Sequence, residues 1–336
     1  MLDGIFIFDC VIHRVDLSDE NLATDRTDTE PVIDWIVTAG KALQAPEYHK
    51  LNFRRRFSIE DMYQMVFVDA PTDMAMVQVV PQFEWFKTFY APVQLQHELV
   101  TAYPDRLVFC GGVDPLHRGL DQALEDLEYQ IQGLGARSIK FYNGHVPHGW
   151  RCDDEKVAYP MYEKCRELGV NVIQFHKGLP FGTGNIEEMH PGDLQKAARD
   201  FPDMIFVLHH LAMPYVDEAI SIGSRFPNVY LALSANLQLI LTAPRDVVTQ
   251  LGKCLRDVGS ERLLWGSEAA LSGGPMPYLK AFMEMQMPAD LREGFGYPEI
   301  TRRDRENILG LNFARLMGVD VEAKKRELGQ QVSSVQ

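Results

Sequence analysis

Short apolar runs recur along this chain, and four of them end on a histidine or a carboxylate. An apolar run of this length, bounded by turn residues, is typical of a parallel strand that is buried on both faces. In an α/β barrel the carboxyl ends of the parallel strands meet at one face, so we expect these polar side chains to lie together. The runs and the residues that end them are 5–12 with His13, 172–175 with His176, 204–208 with His209 and His210, and 263–265 with Glu268.

Further apolar runs alternate with segments of helical periodicity over the whole chain. No Gly-rich phosphate-binding turn follows the first run, which disfavours an open nucleotide-binding sheet. Eight strands alternating with helices predict an α/β fold of the (β/α)8 TIM-barrel type, with the site at the C-terminal mouth of the barrel. The remaining strands are predicted over 72–80, 106–113, 136–141 and 228–233, and helices over 58–67, 92–102, 118–134, 159–168, 193–199, 214–226, 245–257 and 302–317.

The length of 336 residues fits a single barrel domain, because α/β barrels commonly exceed about 250 residues. We expect this domain over residues 1–323, with an insertion at about 16–56 and a polar tail over 324–336. An insertion of that length is typical of a functional lid or of a partly disordered segment. Just after it, Ser58 and Asp61 have the spacing of a helix-capping box. Glu60 between them either reaches the site or is an acid favoured by the helix dipole.

The formal charge of −14 argues against a nucleic acid or an anionic membrane as a partner, since both attract basic surfaces. The one basic cluster, Arg54 to Arg56, is either a solvated loop or an anchor for an anionic substrate. The five cysteines are scattered without a CxxC pair, and the N-terminus has neither a basic leader nor a long apolar run. These features are typical of a cytoplasmic protein in a reducing compartment.

Six short motifs stand at the ends of predicted strands and in the last predicted helix. They are 9–13, Lys140, His176, His210 with Leu211, Gly266 to Glu268, and 310–316. Together they resemble the amidohydrolase-related family, and more closely the branch that contains aminocarboxymuconate-semialdehyde decarboxylase. Members of that branch hold one divalent metal in the mouth of a TIM barrel. The resemblance covers essentially the whole chain and implies the same fold and a metal centre.

The resemblance also implies a ligand set, from which this chain departs at two positions. The family pattern is an HxH pair on the first strand, a histidine after the fifth, an aspartate in a GSD motif after the eighth, and an acid/base histidine after the sixth. Here these positions carry Val11 with His13, His176, Glu268 and His210. Valine cannot bind a metal, and glutamate extends the carboxylate by one methylene. We therefore expect an altered metal centre.

The expected centre combines imidazoles with carboxylates. Its candidate ligands are His13, His176, His210, Glu268 and Glu60. Such a set suits iron or manganese at least as well as zinc. If His210 is a ligand and a carboxylate bridges, two irons fit, and the set then resembles the TIM-barrel nonheme diiron monooxygenase of platensimycin-type diterpenoid biosynthesis. The favoured hypothesis is thus an O2-dependent iron monooxygenase that hydroxylates a hydrophobic small molecule in secondary metabolism.

Two other functions stay open. In the first, a single zinc or manganese ion serves a hydrolase or a nonoxidative decarboxylase of a small carboxylate, with His210 and Glu268 as the catalytic residues. In the second, the barrel has lost catalysis and only binds a ligand, for which Val11 is the main support. Because many relatives are dimers, a homodimer is a further open expectation.

Five further side chains are candidates for binding a small substrate that carries a carboxylate or a CoA group. They are Lys140, His145, His148, Lys177 and Arg55. The two loop histidines are equally consistent with solvated residues. The aromatic residues of segment 83–90 either wall an apolar pocket or pack in the core. Asp9 is expected to be a buried structural acid, and His209 a packed core residue.

Overall fold

The computed structural model describes residues 1–335, and their side chains as far as residue 329. Eight parallel strands form one sheet in the order β1 to β8, each paired with its sequence neighbour. This arrangement confirms the predicted (β/α)8 barrel and places the carboxyl ends of the strands at one mouth. The strands are β1 Phe8–Ile12, β2 Met74–Gln78, β3 Leu107–Gly112, β4 Ser138–Tyr142, β5 Val172–His176, β6 Ile205–Leu208, β7 Val229–Ala232 and β8 Leu263–Leu264.

Helices connect the strands, and most begin close to their predicted positions. The predicted capping box is present, because Ser58 Oγ accepts from the Asp61 N–H at 3.0 Å and Asp61 Oδ2 accepts from the Ser58 N–H at 2.8 Å. The predicted helix 302–317 consists of two α-helices joined by a π-helical turn over Asn307–Leu311. The α-helices are α1 Thr29–Leu43, α2 Ile59–Tyr63, α3 Val93–Ala102, α4 Pro115–Arg118, α5 Leu120–Glu128, α6 Ala158–Glu167, α7 Leu194–Asp200, α8 Val216–Arg225, α9 Pro244–Asp257, α10 Met276–Glu284, α11 Ala289–Phe295, α12 Arg302–Glu306, α13 Asn312–Leu316 and α14 Val321–Val335.

The barrel closes between β1 and β8, although β8 is only two residues long. The Cys10 N–H donates to the Trp265 carbonyl at 3.0 Å, and Ile12 pairs with Ala269 beyond the end of β8. The register of β1 against β2 is irregular between Asp9 and Ile12. The side chains of β1 therefore do not follow a strict period of two as they approach the mouth.

Asp9 ties the two closing strands together, as expected of a buried structural acid. Its Oδ1 accepts from the N–H of Val11 at 3.1 Å and from the N–H of Ser267 at 2.9 Å. Burial raises the pKa of Asp9 to about 7, and these hydrogen bonds oppose the shift. Val11 packs against Gly266, where an added Cβ would lie 2.5 Å from Val11 Cγ1. The position of the missing histidine ligand is thus filled by apolar packing.

The insertion at about 16–56 contains a helix that the sequence analysis did not predict. Helix α1 has 15 residues and buries Val32, Ile33 and Ile36 on one face. This spacing is helical, so the signal was present in the sequence. The helix contributes residues to the wall of the cavity at the barrel mouth. The role of the insertion as a lid and the limits of the domain at 1–323 remain predictions.

The predicted polar tail over 324–336 lies mostly within α14. Gln336, and the side chains beyond residue 329, fall outside the described part of the chain. All five cysteines are buried and free of disulfide bonds. Within residues 1–335, no helix has the length and apolar character needed to cross a membrane.

Gly310 lets the last part of the barrel pack directly on the segment before β1. A Cβ at this position would overlap the Phe6 carbonyl oxygen, which is backbone and cannot rotate away. We expect Gly310→Ala to lower the free energy of unfolding by about 2 kcal/mol or more. Gly294→Ala is the matched control, because an added Cβ at this exposed site in α11 meets no neighbour and alanine favours the helix. Equal urea midpoints for the two variants would contradict the prediction.

Candidate metal centre and substrate cavity

Four polar side chains meet at the mouth of the barrel. His13 follows β1, His176 ends β5, His210 follows β6 and Glu268 follows β8. Each is at most 5% exposed, and all four line one cavity. The sequence analysis predicted these four as metal ligands, and the fold brings them together.

Backbone carbonyl groups set the tautomers of two of these histidines. His13 Nδ1 lies 2.8 Å from the Gln78 carbonyl oxygen, and His176 Nε2 lies 2.8 Å from the Leu179 carbonyl oxygen. Because each of these nitrogens donates its proton to a carbonyl, the lone pairs are on His13 Nε2 and His176 Nδ1. His13 Nε2 lies 3.5 Å from Glu268 Oε2. Both lone pairs are therefore free to bind a metal ion.

His210 stands between His176 and Glu268. Its Nε2 lies 3.0 Å from His176 Nδ1, and its Nδ1 lies 3.8 Å from Glu268 Oε1. Its Nδ1 is also 3.2 Å from the carbonyl oxygen of Ser234 and 3.1 Å from the hydroxyl of that serine. When Nδ1 donates to the carbonyl, the lone pairs of His176 and His210 face each other. A nearby cation relieves that repulsion.

The donor set fits a divalent cation. Among the described residues, Glu268 Oε1 is buried without a hydrogen-bond partner. A buried carboxylate oxygen without a partner is costly unless a cation or a water molecule binds it. Imidazoles combined with a carboxylate are suitable ligands for manganese, iron and zinc. The residues that would hold such an ion are His13, His176 and Glu268, with His210 beside them.

Burial and neighbouring charges give these groups the protonation states of metal ligands. Desolvation lowers the pKa of His176 well below its usual value, and the nearby charges of His210 and Lys140 add to the shift. Desolvation also lowers the pKa of His210 to about 4. Burial by itself would raise the pKa of Glu268, but its interactions with His13, His210 and Lys140 lower it overall. At neutral pH, His176 and His210 are therefore neutral and Glu268 is ionised.

Two of the four residues have a strained backbone. The φ angles of His210 and Glu268 are 62° and 58°, in the left-handed region that costs non-glycine residues about 1 kcal/mol or more. Backbone hydrogen bonds hold both conformations: the Met213 N–H donates to His210 and the Ser272 N–H donates to Glu268, each at 3.0 Å. Since strained residues concentrate at functional sites, this conformation supports a functional role for both.

His209 lies close to the same centre, but its ring is engaged elsewhere. Ligand atoms of His209, His210 and Glu268 lie within 4.8 Å of one another. However, His209 Nε2 lies 2.7 Å from Gln174 Oε1, and its Nδ1 lies 3.2 Å from Ser234 Oγ. Both ring nitrogens are thus occupied, and His209 does not line the cavity. The ring of His209 contacts the Ser234 hydroxyl, and this hydroxyl in turn contacts His210.

The four polar side chains open into a cavity of about 300 Å³ with an apolar and aromatic wall. Tyr142 stacks on His176 with ring centroids 4.2 Å apart. Trp35 from α1 is 42% exposed and packs edge-on against Phe181 at 6.2 Å. The other wall residues are Ile36, Ala39, Ala42, Leu43, Tyr90, Leu179, Met213, Ala235, Leu239 and Leu271.

The chain was compared with known protein families. The model of the Amidohydrolase family matches residues 44–319, which is most of the chain. The chain belongs to the amidohydrolase family. The matched range includes His176, His210 and Glu268, whereas His13 precedes it.

Individual relatives of this amidohydrolase are distant. Protein fluG of Emericella nidulans is 32% identical over 96 residues, which are 29% of this chain and only 11% of that protein. An uncharacterized TIM-barrel protein from Bordetella bronchiseptica has a TM-score of 0.66 and 21% identity, covering 94% of this chain and 99% of its own. A dihydroxybenzoic acid decarboxylase from Polaromonas sp. JS666, with bound manganese, has a TM-score of 0.59 and 12% identity, covering 94% and 97%. At these identities the two structures establish the fold alone.

Three residues that were predicted to bind metal or substrate lie away from the cavity of this amidohydrolase. Glu60 is exposed on α2 and does not join the metal centre. Lys177 is fully buried in an ion pair with Asp193 at 2.9 Å. Arg55 pairs with Asp61 at 2.9 Å. Glu60 is solvated, and Lys177 and Arg55 are each paired with a carboxylate of their own chain. The roles of these three residues as metal or substrate ligands remain predictions.

Two other sequence features also have structural roles. Arg54 and Arg56, the rest of the basic cluster, pair with carboxylates at Glu30, Asp19 and Asp16. Of the aromatic residues in segment 83–90, Tyr90 lines the cavity while Trp85 and Phe86 are buried in the core. The basic cluster is therefore engaged within the chain, and the aromatic segment serves mainly for packing.

Lys140 lies on the inside of β4. It is 1% exposed and does not line the cavity, and among the described residues no carboxylate pairs with its ammonium group. Its Nζ lies 5.7 Å from the centroid of the Tyr142 ring. Desolvation lowers the pKa of Lys140 to about 8, although the charge of Glu268 opposes the shift. The predicted contact of Lys140 with substrate remains a prediction.

Apart from Tyr90, the aromatic part of the cavity wall was not predicted from the sequence. Tyr142 stands two residues after Lys140 on β4, so the period of two would have placed it on the same inward face. The helical spacing of Ile36 and Leu43 would have indicated α1. Phe181 lies in a loop, and its sequence context gives no such signal.

His145 joins three loops at the barrel mouth and does not line the cavity, so its contact with substrate remains a prediction. Its Nδ1 lies 2.6 Å from Glu84 Oε1, and its Nε2 lies 2.6 Å from Asp114 Oδ2. Burial by itself would lower the pKa of His145, but the hydrogen bonds to Asp114 and Glu84 outweigh it and raise the pKa to about 10. His148, by contrast, has an 84% exposed side chain 3.8 Å from Glu188 and does not line the cavity.

Because of the His145 imidazolium, the stability of the fold should decrease as the pH becomes alkaline. Because its folded-state pKa of about 10 exceeds the value of about 6.5 in an unfolded chain, its contribution is complete below about pH 6.5 and is lost as the pH rises through about 10. We expect the difference in unfolding free energy between the wild type and His145→Gln to shrink by about 3 kcal/mol between about pH 7 and 10. Lys140 titrates in this window with the opposite sign, so the difference between the proteins is the quantity to measure. A constant difference in urea unfolding across this range would contradict the prediction.

Proposed function

We propose that this amidohydrolase is a metal-dependent nonoxidative decarboxylase of a small carboxylic acid, with manganese or zinc as its metal. The observation that carries the proposal is the meeting of three imidazoles and one carboxylate beneath an apolar wall. The family supports a metal-dependent enzyme in general. The manganese-bound Polaromonas decarboxylase, which has a similar fold, supports the reaction class.

The residues of the centre divide the work between metal binding and proton transfer. His13, His176 and Glu268 would hold the ion, and His210 would act beside it. When bound, a divalent ion supplies a positive charge that binds the substrate oxygens and stabilises the negative charge developed during the reaction. Loss of CO2 leaves an electron pair on the substrate carbon, which must take up a proton. His210 lines the cavity; it is neutral in the free protein, and beside the anionic substrate it would take up a proton from solvent and pass it to that carbon.

The apolar wall favours decarboxylation over hydrolysis. A localised carboxylate charge is lost as neutral CO2 leaves, so surroundings of low polarity disfavour the reactant more than the product. Hydrolysis instead requires a water molecule held in position for attack. Among the described wall residues outside the metal centre, no serine, threonine, asparagine or glutamine is available to hold one, and the only hydroxyls are those of Tyr90 and Tyr142.

The iron monooxygenase favoured by the sequence analysis is not supported by the comparisons. The Polaromonas decarboxylase has bound manganese. Within the described residues, Glu60 does not reach the centre, which leaves Glu268 as the one carboxylate among the predicted ligands there. Two irons are ordinarily held by several carboxylates. We therefore assign neither iron nor O2 to the proposed reaction.

The insertion completes the proposed active site as a lid. Helix α1 contributes Trp35, Ile36 and Leu43 to the cavity wall, so its position decides how far the centre is open to water. Exclusion of water strengthens the electrostatic interactions inside the site. The free cysteines fit a cytoplasmic location, as predicted from the sequence.

The function is tested by measuring CO2 release without oxygen. The protein is loaded with manganese or zinc and incubated under nitrogen with a panel of aromatic and aliphatic monocarboxylates. We expect CO2 release from at least one acid, with about one metal ion bound per chain. Turnover that requires O2, or the absence of CO2 release from the whole panel, would overturn the proposal.

A further inference from the structure

The cavity wall has no group that neutralises a second negative charge. Among the described residues that line it, there is no lysine or arginine. Lys177 is committed to Asp193 outside the cavity, and Lys140 does not reach the wall. Transfer of an unpaired carboxylate or phosphate into such surroundings is strongly unfavourable, because the charge loses its hydration without gaining a partner.

Of the two tyrosine hydroxyls in this wall, that of Tyr90 is fully buried without a partner. Tyr90 lines the cavity and is 3% exposed, and its hydroxyl has no hydrogen-bond partner among the described residues. Buried phenols ordinarily find a partner, since an unsatisfied hydroxyl is costly. The backbone of Tyr90 is fixed, because its N–H donates to Gln82 at 3.1 Å and its carbonyl accepts from Asp16 at 3.0 Å. The backbone of Tyr90 is therefore anchored, while its hydroxyl has nothing in the described chain to bind.

We propose that Tyr90 binds a single neutral oxygen of a substrate whose remaining body is apolar. This inference rests on the proposed function, because the substrate carboxylate is assigned to the metal centre. The Tyr90 hydroxyl donates to a carbonyl, ether or hydroxyl oxygen of the substrate. Trp35, Ile36 and Phe181 are among the residues that enclose the apolar body.

The substrate class follows from the wall, the phenol and the volume. It is an aromatic or alicyclic monocarboxylic acid with one neutral oxygen substituent. A second carboxylate is excluded because the wall has no cation. The cavity volume of about 300 Å³ suits a substrate body with one ring.

Binding of matched benzoates tests this proposal. The probes are the meta and para isomers of isopropylbenzoate, acetylbenzoate and benzenedicarboxylate. The three substituents are similar in size and differ in being apolar, neutral with an acceptor oxygen, or anionic. Dissociation constants are measured by calorimetry with the manganese-loaded protein, and again with its Tyr90→Phe variant.

We expect one acetylbenzoate isomer to bind about fivefold more tightly than the matching isopropylbenzoate. Both dicarboxylates should bind at least about 100-fold more weakly than that acetylbenzoate. In Tyr90→Phe the preference for the acetyl group should disappear, while affinity for isopropylbenzoate stays unchanged. The melting temperature of this variant should not fall, because the lost hydroxyl has no partner in the chain.

Tyr162→Phe is the matched control for loss of a buried hydroxyl. Tyr162 donates to the Cys152 carbonyl at 2.8 Å and does not line the cavity, so this variant should lose stability without a change in binding preference. The proposal is overturned if a dicarboxylate binds as tightly as its acetyl counterpart, if Tyr90→Phe keeps the acetyl preference, or if none of the probes binds. These outcomes are independent of CO2 release, so failure of the proposed reaction and failure of this substrate class are told apart.

Discussion

Replacement of His176 by alanine is expected to remove the metal and with it the catalytic activity. The ring presents its Nδ1 lone pair to the centre because its Nε2–H is held by the Leu179 carbonyl. Without His176, the remaining metal ligands in the cavity are His13 and Glu268. We expect metal affinity to fall at least about 100-fold and turnover at least about 1000-fold, more than for the loss of a residue that only supports a ligand. Metal content after dialysis against a metal buffer, measured together with kcat, checks both effects.

His49→Ala is the matched control for this experiment. His49 is exposed and does not line the cavity, so the same substitution there should leave metal content and turnover unchanged. Circular dichroism of the His176 variant shows whether it folds, since Tyr142 stacks on the ring that is removed. A folded His176→Ala protein with wild-type metal content would remove His176 from the ligand set.

His210→Asn is expected to abolish turnover while leaving the metal in place. Asparagine can still donate to the Ser234 carbonyl, which His210 Nδ1 approaches at 3.2 Å. It has no group that can take up and release a proton near neutral pH. We expect kcat to fall about 1000-fold, as is usual for the loss of a general acid or base. Metal analysis and single-turnover CO2 release on the same preparation check the two halves of the prediction.

Ser234→Ala is a control that disturbs the orientation of His210 without removing its imidazole. Ser234 touches both His209 and His210 but does not line the cavity, so its loss should disturb the orientation of the imidazole and lower kcat by about tenfold. Loss of metal together with activity in His210→Asn would instead assign His210 to the ligands. Unchanged turnover would exclude it as the proton donor.

The barrel and the strand ends that carry the centre followed from local patterns in the sequence, and the family resemblance selected His210 over His209. A run such as 172–175 encodes a buried strand through its own apolar side chains, and the residue at its end is fixed by the chain itself. Once the strands are known to be parallel, His176, His210 and Glu268 must lie at the same mouth. The four residues are far apart in the sequence, but their places at strand ends made their meeting at one mouth predictable.

The roles of the other charged residues were not predictable in this way. Lys177 follows His176 directly, yet it points away from the cavity and pairs with Asp193. His145 is held between two carboxylates that come from two other loops. Which carboxylate a cation meets depends on loop conformations, and neither spacing nor composition specifies them. This is why candidates chosen for their charge lie away from the cavity, whereas candidates chosen for their place at a strand end line it.

By itself, the sequence determined the barrel, the strand ends and the four polar side chains of the centre, because each depends on interactions between residues that are near neighbours in the chain. Only the tertiary structure decided the shape and polarity of the cavity. Its wall joins Trp35, Tyr90, Tyr142, Phe181 and Leu271, which become neighbours only when the barrel closes and α1 packs over its mouth. The unpaired hydroxyl of Tyr90 is likewise a property of its surroundings, since a partner is defined by what the folded chain brings within hydrogen-bond distance.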